Sequence, residues 1–140
     1  WELGTPVGTS GPLAGAGDST SAWCTNLADY GVNSDISLRT PEIDFSGVAS
    51  ALLTFDVYRD ADGFDDSAAV RFLRASDLSQ LGGDLPIDMT IYDADYTTIE
   101  ILVPADAIGE SVLIEFNFVS DGTPDPYSGL SLDNILVQIP

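Results

Sequence analysis

Apolar and polar residues alternate one for one through most of this chain. Leu53, Phe55 and Val57 fall on one side of a run whose other side carries Thr54, Asp56 and Tyr58. Strand side chains point alternately to opposite faces, so this spacing predicts half-buried strands rather than helices. The pattern returns at Val70 and Phe72, set against Arg71 and Leu73, and at Ile87, Met89 and Ile91, set against Asp88, Thr90 and Tyr92. It continues through Ile99, Ile101 and Val103, then Val112, Ile114, Phe116 and Phe118, then Ile135, Val137 and Ile139. Together with residues 36–38 and 43–45 this makes about eight strands separated by Gly, Pro, Asp and Ser turns, the spacing of an antiparallel sandwich or barrel.

Departures from the alternation are few. Leu130 and Leu132 share one phase while Ile135, Val137 and Ile139 share the other, so the phase slips at Asp133 and Asn134. Such a slip predicts a β-bulge in the last strand. Short helical turns are expected over 76–81 and 104–108, both as connections. The Gly-, Pro- and Ser-rich stretch 4–21 reads as an irregular surface strap, docked through Trp1, Leu3 and Leu13, with Trp23 as a further core or strap anchor.

Composition narrows the class. A chain of 140 residues fits one domain, residues 1–140. Its 44% hydrophobic content, with six Phe, five Tyr and two Trp, supplies enough apolar area to fold despite the acidity. There is no lysine or histidine, and the formal charge is −19. That charge excludes nucleic acid and anionic membrane surfaces as partners, since both would be approached against a repulsive field. No run reaches the ~20 apolar residues of a membrane-spanning helix, so membrane insertion is not expected. The lone Cys24 reads as a buried structural thiol. The chain begins at Trp1 rather than Met, and is expected to be a module of a larger multidomain protein.

Carboxylates gather in the turns. The string 60–66, DADGFDD, sits between two apolar runs and carries Asp60, Asp62 and Asp65 around a glycine. Carboxylates spaced in this way can wrap a hard cation such as Ca²⁺, which takes six to eight oxygens at ~2.4 Å. A solvated acidic loop and a pair of Asx turns are the alternatives. The loop 120–129 holds Asp121 and Tyr127, and with Tyr92 and Tyr96 these are the candidate ligand-binding residues, tyrosine rings for stacking and carboxylate for sugar hydroxyls. No catalytic residue is singled out. Paired acids of a glycosidase need a defined separation across a cleft, and no pair stands apart here, so the chain is not expected to be an enzyme.

The strings WELGTP, GPLAGAG, WCTNLADYG, SLRTPEIDFSGVASALLTFDVYRDADGFDDSAAVRF and IEFNFVSDGTPDPYSGLSLDNILV follow one another in an order that resembles the MAM-like, cleaved-adhesin-type modules of secreted bacterial proteins. The likeness spans most of the chain and thins over 75–95. It implies an all-β, two-sheet antiparallel jelly-roll β-sandwich with a structural Ca²⁺, used as a secreted or cell-surface appendage. Its partner would be an extracellular glycan or cell-surface component. In such a fold the first and last strands lie close, and the resemblance implies a second calcium set from Asp18, Asn26 and Asp133. Cys24 departs from the family pattern, which usually has glycine there. The alternative function is a structural or protein-interaction repeat of a large adhesin, without small-ligand binding.

Overall fold

The computed structural model describes residues 1–140. Ten strands follow in the order β1 (Glu2–Gly4), β2 (Ala22–Cys24), β3 (Asp35–Arg39), β4 (Ile43–Asp44), β5 (Leu52–Asp60), β6 (Ser67–Arg74), β7 (Gln80–Ile87), β8 (Thr97–Leu102), β9 (Ser111–Val119) and β10 (Gly129–Gln138). The first sheet runs β1-β2-β10-β5-β8 and the second β3-β9-β6-β7, with β4 also on β9. Every pairing is antiparallel. β6 pairs with β7, β5 with β8, β3 with β9 and β2 with β10, each pair enclosing the previous one in sequence and falling in the opposite sheet. That nesting is the jelly roll, and the chain is a single all-β domain.

The alternation explains why the two sheets close on each other. Phe55 and Val57 of β5, Val70 and Phe72 of β6, and Ile114, Phe116 and Phe118 of β9 are all fully buried. Phe55 meets Phe116 across the sheets, edge to face, with ring centroids 5.1 Å apart. Each such side chain contributes roughly 2–3 kcal/mol of apolar burial.

The bulge in the last strand is present. The β5–β10 register runs Asp133↔Asp56 and then Leu136↔Thr54, so Asn134 and Ile135 together oppose one residue. Asn134 sits at φ 48°, a left-handed conformation that Asn tolerates better than most residues. Its Nδ2 donates to Asp56 Oδ2 at 2.7 Å. The slip keeps Leu130 and Leu132 in the core and leaves Leu136 50% exposed.

The strand expected over Ile87, Met89 and Ile91 is displaced. The true strand is β7, which ends at Ile87. Its Gly82, Gly83 and Pro86 conceal it from propensity reasoning, and they are tolerated because β7 is a sheet edge. Gly82, at φ 79°, lies where the β6–β7 register shifts between Val70 and Phe72. Of the residues 76–81 only the first two lie in a turn, 75–77, and the last two already belong to β7, whereas Ala105–Ala107 form the expected helical turn, of 3-10 type.

The strap 5–21 lies against the outer face of the first sheet. A Cβ on Gly11 would strike Ser128, and one on Gly15 would strike Ser21, Ser19 and Asp133, so glycine is what allows this close approach. Ala16 N–H donates to Asp133 Oδ2 at 2.9 Å and the Tyr96 hydroxyl donates to the Ala14 carbonyl at 3.0 Å. Trp1 packs on the core as expected, but Leu13 is 77% exposed and Leu3 also faces solvent. Polar contacts, not those leucines, hold the strap. Trp23 likewise is no core anchor. It stands opposite Leu132 at the open edge of the sandwich and, with Leu38, Pro41, Phe116 and Ile135, lines a cavity of about 270 Å³. Cys24 is fully buried, and burial pushes its thiol pKa up, as suits a structural thiol.

The bulge separates two leucines in energy. Leu132→Ala is expected to cost about 2–5 kcal/mol, and Leu136→Ala no more than about 0.5 kcal/mol, in denaturant unfolding. Equal losses would mean that the register does not shift at Asn134.

Candidate functional site

All four arginines are already engaged. Arg39 and Arg71 both bind the buried Glu115, at 2.7 and 3.3 Å, and Arg71 also grips Asp84 at 2.8 Å, forming a row of charges across the outer face of the second sheet. Arg74 pairs with Glu110 at 3.2 Å. Arg59 donates through Nε and Nη2 to the two oxygens of Asp93, at 2.7 and 2.9 Å, and both side chains are buried. No guanidinium remains for the carboxylates gathered at one end of the sandwich.

That end is built where β5 and β9 finish and β6 and β10 begin. The loops 25–34, 61–66 and 120–128 meet there: Tyr30 N–H donates to the Tyr127 carbonyl and Asn33 N–H to the Asp121 carbonyl. Asp66 is buried and accepts hydrogen bonds from the Tyr30 hydroxyl and from Asp121 N–H, the latter at 2.9 Å. The Tyr30 hydroxyl in turn accepts from Asp62 N–H at 3.2 Å. Its ring sits edge-on to Phe118 at 5.1 Å, and burial first, then the Asp66 bond, raises its pKa. Asp60 is also buried, and its Oδ2 accepts from Ser10 Oγ, Ser128 N–H and Ser128 Oγ at 2.7, 2.9 and 2.9 Å. Buried carboxylates without a cationic partner require several donors, and these two have them.

Asp125 is the exception. Its Oδ2 is shielded from solvent and has no hydrogen-bond partner. Desolvation holds its pKa above the ordinary carboxylate value, and the charges of Asp62, Asp66, Asp121 and Asp65 push in the same direction. With Asp60, six acidic side chains therefore share this end without a protein cation.

The expected metal ligands divide. Asp60 is consumed by its three donors, while Asp62 and the exposed Asp65 lie among the charges around Asp125. Asp62 Oδ1 accepts only a long bond, 3.3 Å, from Phe64 N–H. Asp133 instead holds the strap through Ala16, Asn26 Oδ1 caps its own turn at Ala28 N–H at 2.9 Å, and Asp18 faces solvent. Nowhere do three acid or thiol side chains converge as a ready metal-ligating group. In donor chemistry the acidic end still suits a hard divalent ion, since its groups are all oxygen and one buried oxygen is unpartnered.

The expected ligand-binding residues divide too. Tyr92 and Tyr127 stand together, ring centroids 5.6 Å apart and tilted by 55°. Tyr92 is 53% exposed. The adjacent Tyr127 side chain is the main cause of a pKa pushed up to about 12, with Asp62 and Asp60 adding to it. Asp121 belongs to the same end and accepts from Thr123 N–H and Oγ1 at 2.7 and 2.9 Å. Tyr96 does not join them, because it pairs with Tyr58 at 5.6 Å beside the strap. Sequence reasoning missed Tyr30, Ser10 and Ser128, which lie far along the chain from the acids they serve. Nor did it single out Asp66, within the string 60–66, or Asp125, within the loop 120–129.

No protein-family model matches the chain, and no curated protein matches it. Among solved structures the chain is similar to Xylanase10C from Cellvibrio japonicus in complex with xylopentaose, at 11% identity and a TM-score of 0.46. The superposition covers 99% of this chain and 28% of that one, so the chain spans little more than a quarter of the xylanase's length. No helix is long and apolar enough to cross a membrane.

The raised pKa of Asp125 gives a signed pH dependence. The folded state holds this proton more tightly than the unfolded chain, so ionisation costs stability as pH rises from the ordinary value of 3.8 through the raised one. In chelator-treated protein Asp125→Asn is therefore expected to melt higher than the parent at pH 7, with the gap closing as pH falls below 3.8. A gap that is absent at pH 7, or that widens in acid, would contradict this electrostatic reading.

Proposed function

We propose that the chain is a non-catalytic, secreted or cell-surface module of a larger protein, stabilised by Ca²⁺ at its acidic end, which binds extracellular carbohydrate. The observation that carries this reading is the buried, unpartnered Oδ2 of Asp125 amid Asp62, Asp65, Asp66 and Asp121, in a chain whose arginines are all committed elsewhere. A divalent ion bound by Asp125, Asp62 and Asp65 would relieve that repulsion and draw the 61–66 and 120–128 loops together. Tyr92 and Tyr127 would then be held on a stiffened base. Their paired rings offer apolar faces to a pyranose, and nearby carboxylate oxygens accept hydrogen bonds from its hydroxyls. The non-catalytic part of the reading is supported by Asp60 and Asp66, the two buried acids of the acidic end, which serve as hydrogen-bond acceptors for the fold. The secreted setting is supported by the resemblance to MAM-like modules, and by a lysine-free acidic surface suited to ion-rich surroundings.

Calcium titration with calorimetric melting tests the ion. Ca²⁺ at about a hundred times its Kd is expected to add about 2.7 kcal/mol of stability, and Asp125→Asn to abolish that gain. An identical transition in calcium and in excess EDTA would remove the metal from the proposal. A glycan array probed with the parent and with Tyr92→Ala tests the sugar, and binding is expected to fall at least about tenfold on loss of the ring. Silence across neutral polysaccharides would favour a protein-interaction repeat.

A further inference from the structure

A second groove, of about 300 Å³, lies between the strap and the outer face of the first sheet. Pro12, Leu13 and Ala14 of the strap line it together with Tyr58, Tyr96 and Asp95. Three features set its chemistry. First, the Tyr58 and Tyr96 rings, 5.6 Å apart and 67° to each other, give it aromatic surface. Second, Asp95 is exposed and uses Oδ1 to accept Tyr96 N–H at 2.8 Å, which orients the carboxylate while Oδ2 stays open to a ligand. Third, the surrounding charge is of one sign once the Arg59–Asp93 pair has cancelled itself: Asp60 and Asp95 act on Tyr58, and Asp133 acts on Tyr96. The one nearby cation, Arg59, is buried and clamped by Asp93.

Aromatic faces, apolar walls and an uncompensated negative field together select an organic cation. A neutral ring would stack but gain nothing from the field, and an anion would be repelled. The wall is also set in advance, because Tyr96 holds Ala14, Asp133 holds Ala16 and the glycines seat the strap on the sheet. Little ordering therefore opposes binding.

We propose that this groove binds a protonated primary amine carried on an apolar or sugar body, with the ammonium against the Tyr58 and Tyr96 rings and beside Asp95. Such an ammonium belongs either to an amino sugar or to a lysine side chain. The site is separate from the calcium proposal and does not depend on it.

Isothermal titration of the intact domain, with Ca²⁺ present throughout, tests the groove. The probes are a glucosamine hexamer and Nα-acetyl-lysine methylamide, each alongside its N-acetylated, uncharged counterpart. Saturable binding is expected for the protonated probes and not for the acetylated ones, and the tighter of the two amines names the source. Asp95→Asn and Tyr58→Leu are each expected to weaken binding about threefold to tenfold. Asp95 is a surface residue, so its variant is expected to melt like the parent even if Tyr58→Leu disturbs the strap. Equal binding of charged and acetylated probes, no saturable binding of either amine, or full affinity in Asp95→Asn would overturn the proposal.

Discussion

Four guanidinium groups have to serve twenty-three carboxylates, and the fold sets three of them against buried ones. Glu115, buried under the outer face of the second sheet, takes two of them. Asp93 takes a third in a buried bidentate pair. A carboxylate removed from water needs a cation or several hydrogen-bond donors, so this allocation dictates how every other buried acid is satisfied. Asp60 and Asp66 are supplied by serine, tyrosine and backbone N–H groups instead. Asp125 is left short, and the electrostatics of the acidic end follow from that shortage.

The jelly-roll winding brings the acids together. Because β2 lies against β10 and β5 against β10, the loops leaving β2 and β5 and the loop entering β10 open at one end of the sandwich. Tyr30, Asp66 and Asp125 meet there although they lie in three separate parts of the chain. The core between the sheets, with its five fully buried phenylalanines, anchors the strands from which those loops leave.

The strap has a different role from that of a passive tail. It shields the outer face of the first sheet through glycine-enabled contact and polar anchors, and with Tyr58 and Tyr96 it forms a groove. Ser10, near its start, also donates to Asp60, so strap and acidic end are mechanically linked. Asp60 thereby joins the strap, the end of β5 and the entry to β10 through a single carboxylate oxygen.

Alternation by itself determined the all-β class, most of the core and the bulge at Asn134, because side-chain direction in a strand is a local property of period two. Composition likewise determined that the chain is strongly anionic, since counting charges needs no coordinates. The strand over 80–87 was hidden because glycine and proline carry no strand signal, and only its place at a sheet edge makes them acceptable. Which acids are buried, and which of them find donors, was decided by tertiary structure alone. Asp60 and Asp65 look alike in the string DADGFDD, yet one accepts three hydrogen bonds from residues about 50 and 68 positions away and the other faces water. Long-range pairing of strands sets those distances, and no local pattern encodes them.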